Sequence, residues 1–359
     1  MNIFKNKIRR SPRFPSLDIS RGMAIVLMIE AHVLILIPFI TDYSGMFAAP
    51  FFFIIAGVSY ELFLKSRFNK GITKSVIYFE TFWRAIILFL VTISITILGM
   101  ILFSWYYHSI GSFGLTWTVF EVIAIGYLLG LLIYRDSLKL ITIIVIFSVS
   151  YLISQFQINN LYFLINPANL SMNMIAYFVF GQLISGIYQK KYLSSKGNSK
   201  LLMYSGLFVL ISLVIFNIFP VQLVSQDRST FSLFLVISSI LLLVILFFIR
   251  IVDIEKHLNR LLSPFASIGK IAFTAFYLNV LIIFILKRII LAYVPPSYAV
   301  NIVIVVLTVA ILTIIERIWV RYNYFLSLEW LLRQGANIMT KQSENINNQY
   351  FNRESEEKN

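Results

Sequence analysis

The chain has 359 residues, of which 59% are hydrophobic and 13% are charged. Soluble globular proteins have about 25% charged residues, so this chain lacks the polar residues that would cover a soluble domain. Its apolar residues form runs of about 20, which is long enough to cross the hydrocarbon core of a bilayer. The composition therefore predicts an integral, multi-pass membrane protein. It excludes a soluble enzyme, a nucleic-acid-binding protein and a secreted disulfide scaffold.

The net charge of +14 does not indicate a nucleic-acid partner, because the basic residues lie in the short loops between apolar runs. Cationic residues in such loops fix the orientation of a membrane protein. The chain has no cysteine and only three histidines. This excludes a disulfide framework and a thiolate site, and we expect no metal centre.

Ten apolar runs predict ten membrane-spanning helices, since lipid offers an unpaired backbone group no water partner. Short connections place them in one all-α bundle, predicted as a single transmembrane domain over residues 1–335. Residues 336–359 are polar and are expected to be a disordered tail. The predicted spans are approximately 20–40, 46–64, 84–104, 116–134, 138–154, 172–189, 201–219, 230–250, 267–287 and 298–320.

The distribution of Lys and Arg predicts the orientation of these spans. With both termini in the cytoplasm, 27 of the 30 Lys and Arg residues fall on the cytoplasmic side. Only Arg228, Lys287 and Arg288 fall on the other side. This asymmetry follows the positive-inside rule, and it would be lost if one span were missed. We expect the protein to lie in the cell membrane.

The first span carries the densest set of polar residues. Pro15 and Ser16 are typical of a helix start, and Asp18 suits the positive end of the helix dipole. Arg21 and His32 are eleven residues apart, which places them on one helix face about 16 Å apart along the axis. An ionisable residue near mid-membrane, as expected for His32, indicates a functional site. The simpler alternative is that Arg21 anchors the helix at the cytoplasmic edge and His32 is a buried packing donor.

Two intramembrane carboxylates are further candidates. Glu30 lies two residues from His32, so on a helix it points to nearly the opposite side and serves either a structural pair or catalysis. Glu121 lies in the outer third of the fourth span, and no basic residue is close to it in sequence. Glu316, by contrast, is expected to pair with a basic residue at the inner edge.

The second span and the loop after it offer a packing site and a candidate anion site. Gly57 stands among large aromatic residues, where a small residue permits close helix packing. Arg84 belongs to a basic stretch that is mostly ordinary cytoplasmic charge, but its guanidinium also suits a phosphate. Together with Arg21, it is the candidate for binding an anionic cofactor.

The first span resembles the opening motif of multipass membrane acyltransferases that modify cell-surface glycans: Leu17-Asp18-x-x-Arg21-Gly22-x-Ala24, followed by His32. Two further stretches, 51–57 and 122–129, most resemble the heparan-alpha-glucosaminide N-acetyltransferase-like branch. Residues 268–274 and 327–333 are similar to a C-terminal region of bacterial relatives. Lys270, Ala275, Phe276 and Ser327 depart from the pattern of that region, so no catalytic role is assigned to it.

The resemblance implies transfer of an acyl group, usually acetyl, from cytoplasmic acyl-CoA to an amine or hydroxyl on the far side of the membrane. The acceptor would be a glycan or a lipid-linked molecule. His32 is the expected general base because a neutral imidazole suits that task near pH 7. Arg21, Glu30 and Glu121 complete the predicted catalytic set, and no metal is required. The sequence leaves a homo-oligomer open.

The alternative function is a secondary transporter or flippase that uses Glu30, Glu121 and His32 as a proton relay. The two halves of the chain show no inverted repeat and no matching Gly- or Pro-broken spans, which counts against it. The enzyme hypothesis makes a geometric prediction. A narrow cavity should run from Arg21 to His32 and then widen towards the loops at 105–115 and 155–171, with Glu121 and Asn279 in its wall.

Overall fold

A computed structural model describes residues 14–33, 38–107, 119–133, 135–155, 173–189, 191–218, 231–258, 260–335 and 338. Throughout this described part the regular elements are helices, and it contains no strand. The predicted all-α class is therefore confirmed. The predicted polar tail lies outside the described residues, apart from Ile338.

The helices follow one another along the chain with short separations. Their bounds are α1 Pro15–Val33, α2 Pro38–Asn69, α3 Lys74–Tyr107, α4 Val119–Leu132, α5 Asp136–Gln155, α6 Asn173–Ile184, α7 Ser195–Ile218, α8 Phe231–Phe248, α9 Ser263–Lys270, α10 Ala272–Ile290 and α11 Tyr298–Arg321. A 3-10 turn, Ser185–Tyr188, extends α6, and a π-helical turn, Ile249–Ile254, extends α8. Residues 328–335 form a last described helix, α12.

Six of the described helices are long and apolar enough to cross a membrane. They are α2, α3, α7, α8 with its π-helical turn, α10 and α11. Helices α4 and α6 are apolar but shorter. Helix α1 carries Asp18, Arg21 and Glu30 within its 19 residues, which lowers its mean hydropathy. The chain is an integral membrane protein, and its predicted number of spans stays a prediction.

Helix α1 differs from the predicted span 20–40 at both ends. It begins at Pro15, as the helix-start signal indicated, and ends at Val33. The next described helix begins at Pro38, and a proline suits the first turn of a helix. His32 lies in the last turn of α1.

The predicted span 267–287 is divided into two helices. Helix α9 ends at Lys270, and α10 begins at Ala272 after the break at Ile271. The first N–H groups of α10 are bound by a side chain from elsewhere in the chain: Oε1 of Glu329 accepts from the backbone of Phe273 at 2.7 Å and of Thr274 at 3.2 Å. Glu329 therefore caps α10, and the break places Lys270 beside the cap.

Glycines allow two pairs of helices to pack at backbone contact. A Cβ atom on Gly22 would lie 1.9 Å from the carbonyl oxygen of Phe265, and one on Gly269 would lie 1.7 Å from that of Asp18. Helices α1 and α9 thus require glycine on both sides. Between α2 and α6, a Cβ atom on Gly57 would lie 2.0 Å from the oxygen of Phe178. The packing role predicted for Gly57 is confirmed.

Polar contacts bring the basic ends of the helices together at one end of the bundle, which we call the basic end. Three examples show the pattern. Arg21 of α1 contacts Ser59 near the end of α2 at 2.8 Å. Lys139 of α5 contacts Glu61 of α2 at 3.2 Å. Arg250, after α8, donates to Ser195 at the start of α7 at 2.8 Å. Helix α2 therefore ends where α1 and α5 begin, and α8 ends where α7 begins.

Candidate active site

A cavity of about 250 Å³ lies at the basic end, between α1, α2, α3, α4, the α9–α10 break and α12. Three cationic side chains line it, those of Arg21, Arg84 and Lys270, together with the carboxylate of Glu329. Its other lining residues are Phe52, Ala56, Ser59, Tyr60, Phe63, Tyr127, Gly269, Ala272, Phe273 and Leu332. The cavity therefore combines a cationic part with an apolar part.

Arg21 is held in place by α1 and α2. Its two terminal nitrogens bond Oδ1 of Asp18 at 2.9 Å and Oγ of Ser59 at 2.8 Å. Asp18 is buried and does not line the cavity, so it orients the guanidinium from behind. A guanidinium has five N–H donors, and these two contacts leave others for a ligand.

Arg84 is held by a carboxylate that it shares with Arg67. Oε1 of Glu80 lies 2.9 Å from Arg84 and 2.6 Å from Arg67, and the Arg84 guanidinium lies 4.5 Å from the centre of the Phe63 ring. Nε of Arg84 is buried and has no hydrogen-bond partner among the described residues. A buried donor without a partner is costly, so this atom favours an anionic ligand.

Lys270 reaches the cavity because of the break between α9 and α10. Its ammonium lies 3.2 Å from Oε1 of Glu316, and the hydroxyl of Tyr324 lies 3.1 Å from the same oxygen. Glu316 is buried, and the pairing predicted for it is confirmed. The side chains of Arg21, Arg84 and Lys270 are 27%, 24% and 31% exposed, so solvent reaches the cationic part of the cavity.

Glu329 closes one side of the cavity and lies beyond α11, outside the candidate spans. Besides the two backbone contacts, its Oε2 accepts from the Thr274 hydroxyl at 2.6 Å. Burial raises the pKa of the Glu329 carboxyl above its ordinary value, while these hydrogen bonds act in the opposite direction. The Glu329 carboxyl thus binds the first turn of α10 through three hydrogen bonds and also forms part of the cavity wall.

The predicted site residues fall into two groups. Arg21 and Arg84, the predicted cofactor-binding pair, line the same cavity. His32 is exposed in the last turn of α1, and its backbone carbonyl accepts from Lys287 at 3.1 Å. Glu30 is half-buried on the same helix, and Glu121 is half-buried in the first turn of α4. None of these three, nor the buried Asn279, belongs to the lining of the cavity.

A cavity includes Arg21, and the predicted path from Arg21 to His32 stays a prediction. The lining reaches Phe52 and Phe273, and the described cavity does not include His32. The wider opening predicted beyond His32 was expected at 105–115 and 155–171, which fall largely outside the described residues.

Sequence reasoning missed Lys270, Glu329 and the tyrosine pair of Tyr60 and Tyr127. The two tyrosine rings stack at 4.9 Å, and the Tyr60 hydroxyl donates to the Tyr127 carbonyl at 3.0 Å. The signal for Glu329 was present in the Leu328-Glu329-Trp330 resemblance, but the departures around it led us to assign that region no role.

Residues 14–315 match a family model described as an acyltransferase domain. The chain belongs to this family of multi-pass membrane acyltransferases. The match covers most of the chain, including every helix from α1 to α10 and most of α11. It supports the acyltransferase function over the transporter alternative. No curated protein matches the chain.

Proposed function

We propose that this acyltransferase moves an acetyl group from acetyl-CoA to an amine or hydroxyl on a glycan or a lipid-linked acceptor. The donor enters at the basic end, which faces the cytoplasm, and the acceptor reaches the opposite end. The protein acts in the cell membrane, within the heparan-alpha-glucosaminide N-acetyltransferase-like branch. The first-span motif and the stretches at 51–57 and 122–129 support this branch.

The observation that carries the proposal is the two-part character of the cavity. Arg21, Arg84 and Lys270 provide cationic donors where solvent enters, which suits the phosphates of coenzyme A. The rest of the lining is apolar and aromatic, which suits a thin uncharged arm and a small acyl group. The buried Nε of Arg84 adds a donor that an anion would satisfy.

His32 supplies the base in the proposed reaction. Its imidazole accepts the proton of the acceptor amine or hydroxyl as that group attacks the thioester carbonyl. A C–N or C–O bond forms, the C–S bond breaks, and the coenzyme A thiolate leaves. The His32 imidazolium then returns its proton through water, and the thiolate becomes the free thiol. Arg21 and Arg84 hold the phosphates, and Glu30 and Glu121 are the next candidates for the base.

Binding of acetyl-CoA to the purified protein in nanodiscs tests the donor site. Arg84→Ala removes one cavity cation, while Glu80 keeps its partner Arg67 at 2.6 Å. Loss of a charge-assisted hydrogen bond costs about 1.5–3 kcal/mol. We therefore expect calorimetry to show affinity for acetyl-CoA weakened by about tenfold to about 150-fold.

Arg288→Ala is the matched control, because Arg288 is exposed in the last turn of α10, at the end far from the cavity. It removes the same charge and should leave affinity for acetyl-CoA unchanged. Equal weakening by both variants would indicate a nonspecific charge effect. Wild-type protein that binds neither acetyl-CoA nor free coenzyme A would contradict the proposed function.

A further inference from the structure

Four phenylalanines form a cluster at the apolar end of the cavity, and we call Phe52, Phe120, Phe273 and Phe276 the aromatic wall. Phe52 and Phe273 line the cavity, and the other two pack behind them. The Phe52 ring centre lies 6.2 Å from each of the other three. Phe120 lies 5.2 Å from Phe273 and 4.7 Å from Phe276. Three helices, α2, α4 and α10, thus contribute to one ring cluster.

The lining residues of α2 show how the wall relates to the cationic part. Phe52, Ala56, Ser59, Tyr60 and Phe63 all line the cavity and follow helical spacing along one face. Phe63 lies under Arg84, and Phe52 lies eleven residues away, about 16 Å along the axis. The lining along α2 therefore runs from Phe63 beside Arg84 to Phe52 in the aromatic wall, and we call this part of the cavity the slot.

Two rings of the aromatic wall are buried, and the other two, Phe273 and Phe276, are half-buried. Phe52 is 3% exposed and Phe120 is fully buried. Ala56 and Ala272 line the same slot beside Phe52 and Phe273. Protein interiors are close-packed, and side chains added to them force displacements that destabilise the protein. A ligand that enters from the charged end therefore meets these rings on the side of the slot that α2, α4 and α10 form.

We propose that the aromatic wall sets the length of the acyl group that the enzyme accepts and restricts it to short chains. This inference rests on the proposed function, because it assumes that the acyl end of an acyl-CoA points along the slot. An acetyl group ends before the rings, while each further methylene has to displace Phe52 or Phe273. Phe52 is the specificity-determining residue, since it lines the slot and contacts all three other rings.

A series of acyl-CoAs of increasing chain length tests the wall. Acetyl-, butyryl- and hexanoyl-CoA compete with radiolabelled acetyl-CoA for the full-length protein in nanodiscs. Wild-type protein should bind hexanoyl-CoA at least tenfold more weakly than acetyl-CoA. Phe52→Ala removes one ring of the aromatic wall and should reduce that ratio to about threefold or less.

Phe234→Ala is the matched control, because Phe234 is equally buried in another ring cluster. It packs against Phe147 and Tyr177, each at 4.9 Å between ring centres, and does not line the cavity. It should retain the wild-type ratio. If Phe52→Ala does not fold, Phe52→Leu keeps most of the packing and should shift the ratio in the same direction.

The outcomes separate the two proposals. A wild-type protein that binds acetyl-CoA with no preference over hexanoyl-CoA overturns the aromatic wall and leaves the proposed function standing. The same holds if a folded Phe52 variant keeps the wild-type ratio, or if Phe234→Ala shifts it equally. Absence of binding by every acyl-CoA and by free coenzyme A overturns the proposed function and this inference with it.

Discussion

His32 and Arg21 lie on one helix and serve different parts of the proposed reaction. Arg21 lines the cavity at the basic end, whereas His32 is exposed at the other end of α1, about 16 Å away along the axis. Lys287 of α10 donates to the His32 carbonyl at 3.1 Å and so ties the end of α1 to α10. A side chain there can meet an acceptor without touching the phosphates of the donor.

The separation predicts different effects for the two residues. His32→Ala should reduce acyl transfer by at least about 100-fold, the usual contribution of a general base. Affinity for acetyl-CoA should stay at the wild-type level, because His32 does not line the cavity. Transfer to acceptor lipids or glycans in membranes and donor binding in nanodiscs measure the two effects. Retained transfer in this variant would assign the base elsewhere, with Glu30→Gln and Glu121→Gln as the next variants to assay.

The candidate site could be predicted in part from single residues. Arg21 and Arg84 were identified because a cation near an apolar span is conspicuous in sequence. Lys270 resembled ordinary loop charge, and Tyr60 and Tyr127 resembled ordinary aromatic content. These side chains reach one cavity only through packing between distant helices, such as the contact of Gly269 with the Asp18 backbone. Contacts between distant helices leave no periodic pattern in the sequence, so the sequence alone does not predict them.

The break between α9 and α10 shows that a tertiary contact can interrupt a helix where the sequence contains no helix-breaking signal. Lys270-Ile271-Ala272 contains no proline or glycine, so hydropathy predicts one continuous span over 267–287. The break depends on Glu329, which lies more than fifty residues later and binds the first N–H groups of α10. Thr274 completes the contact by accepting from the backbone of Leu328 at 2.9 Å.

Removal of this cap should destabilise the bundle. Glu329→Ala leaves the N–H groups of Phe273 and Thr274 without their acceptor, which costs about 1–3 kcal/mol in the free energy of unfolding. Glu329→Gln keeps one acceptor oxygen and should lose less. Unfolding in detergent, monitored by circular dichroism, measures the stability of the wild type, Glu329→Gln and Glu329→Ala, which should decrease in that order.

Glu255→Ala is the control for that measurement. Glu255 is exposed and pairs with Arg250, so its loss should cost less than about 1 kcal/mol. If Glu329→Ala is as stable as Glu255→Ala, the carboxylate is not required to hold α10. An intact α10 with weaker acetyl-CoA binding would instead place Glu329 in direct contact with the donor.

At the scale of the whole molecule, the position of the basic helix ends follows from the sequence better than any helix boundary does. The predicted apolar runs lie largely in helices, although the run 267–287 is divided between α9 and α10, and polar contacts bring basic ends of several helices together. Loop charge and hydropathy determine this arrangement because they act on whole segments. Boundaries differ by several residues, as at α1, since proline positions and tertiary caps decide them locally.

The position of the basic end leads to a prediction about the side of the membrane from which the donor enters. The cationic part of the cavity lies at the basic end, and the phosphates of acetyl-CoA prevent it from crossing a bilayer. The positive-inside rule predicts that this end faces the cytoplasm. Sealed inverted membrane vesicles, whose cytoplasmic face is outside, should therefore acetylate acceptors from added radiolabelled acetyl-CoA. Sealed right-side-out vesicles should show no transfer. A permeabilising concentration of detergent should then make the transfer rates of the two preparations equal. Transfer by intact right-side-out vesicles would show that the basic end faces outwards or that the donor binds at the His32 end, and Arg84→Ala in the same vesicles would distinguish these two.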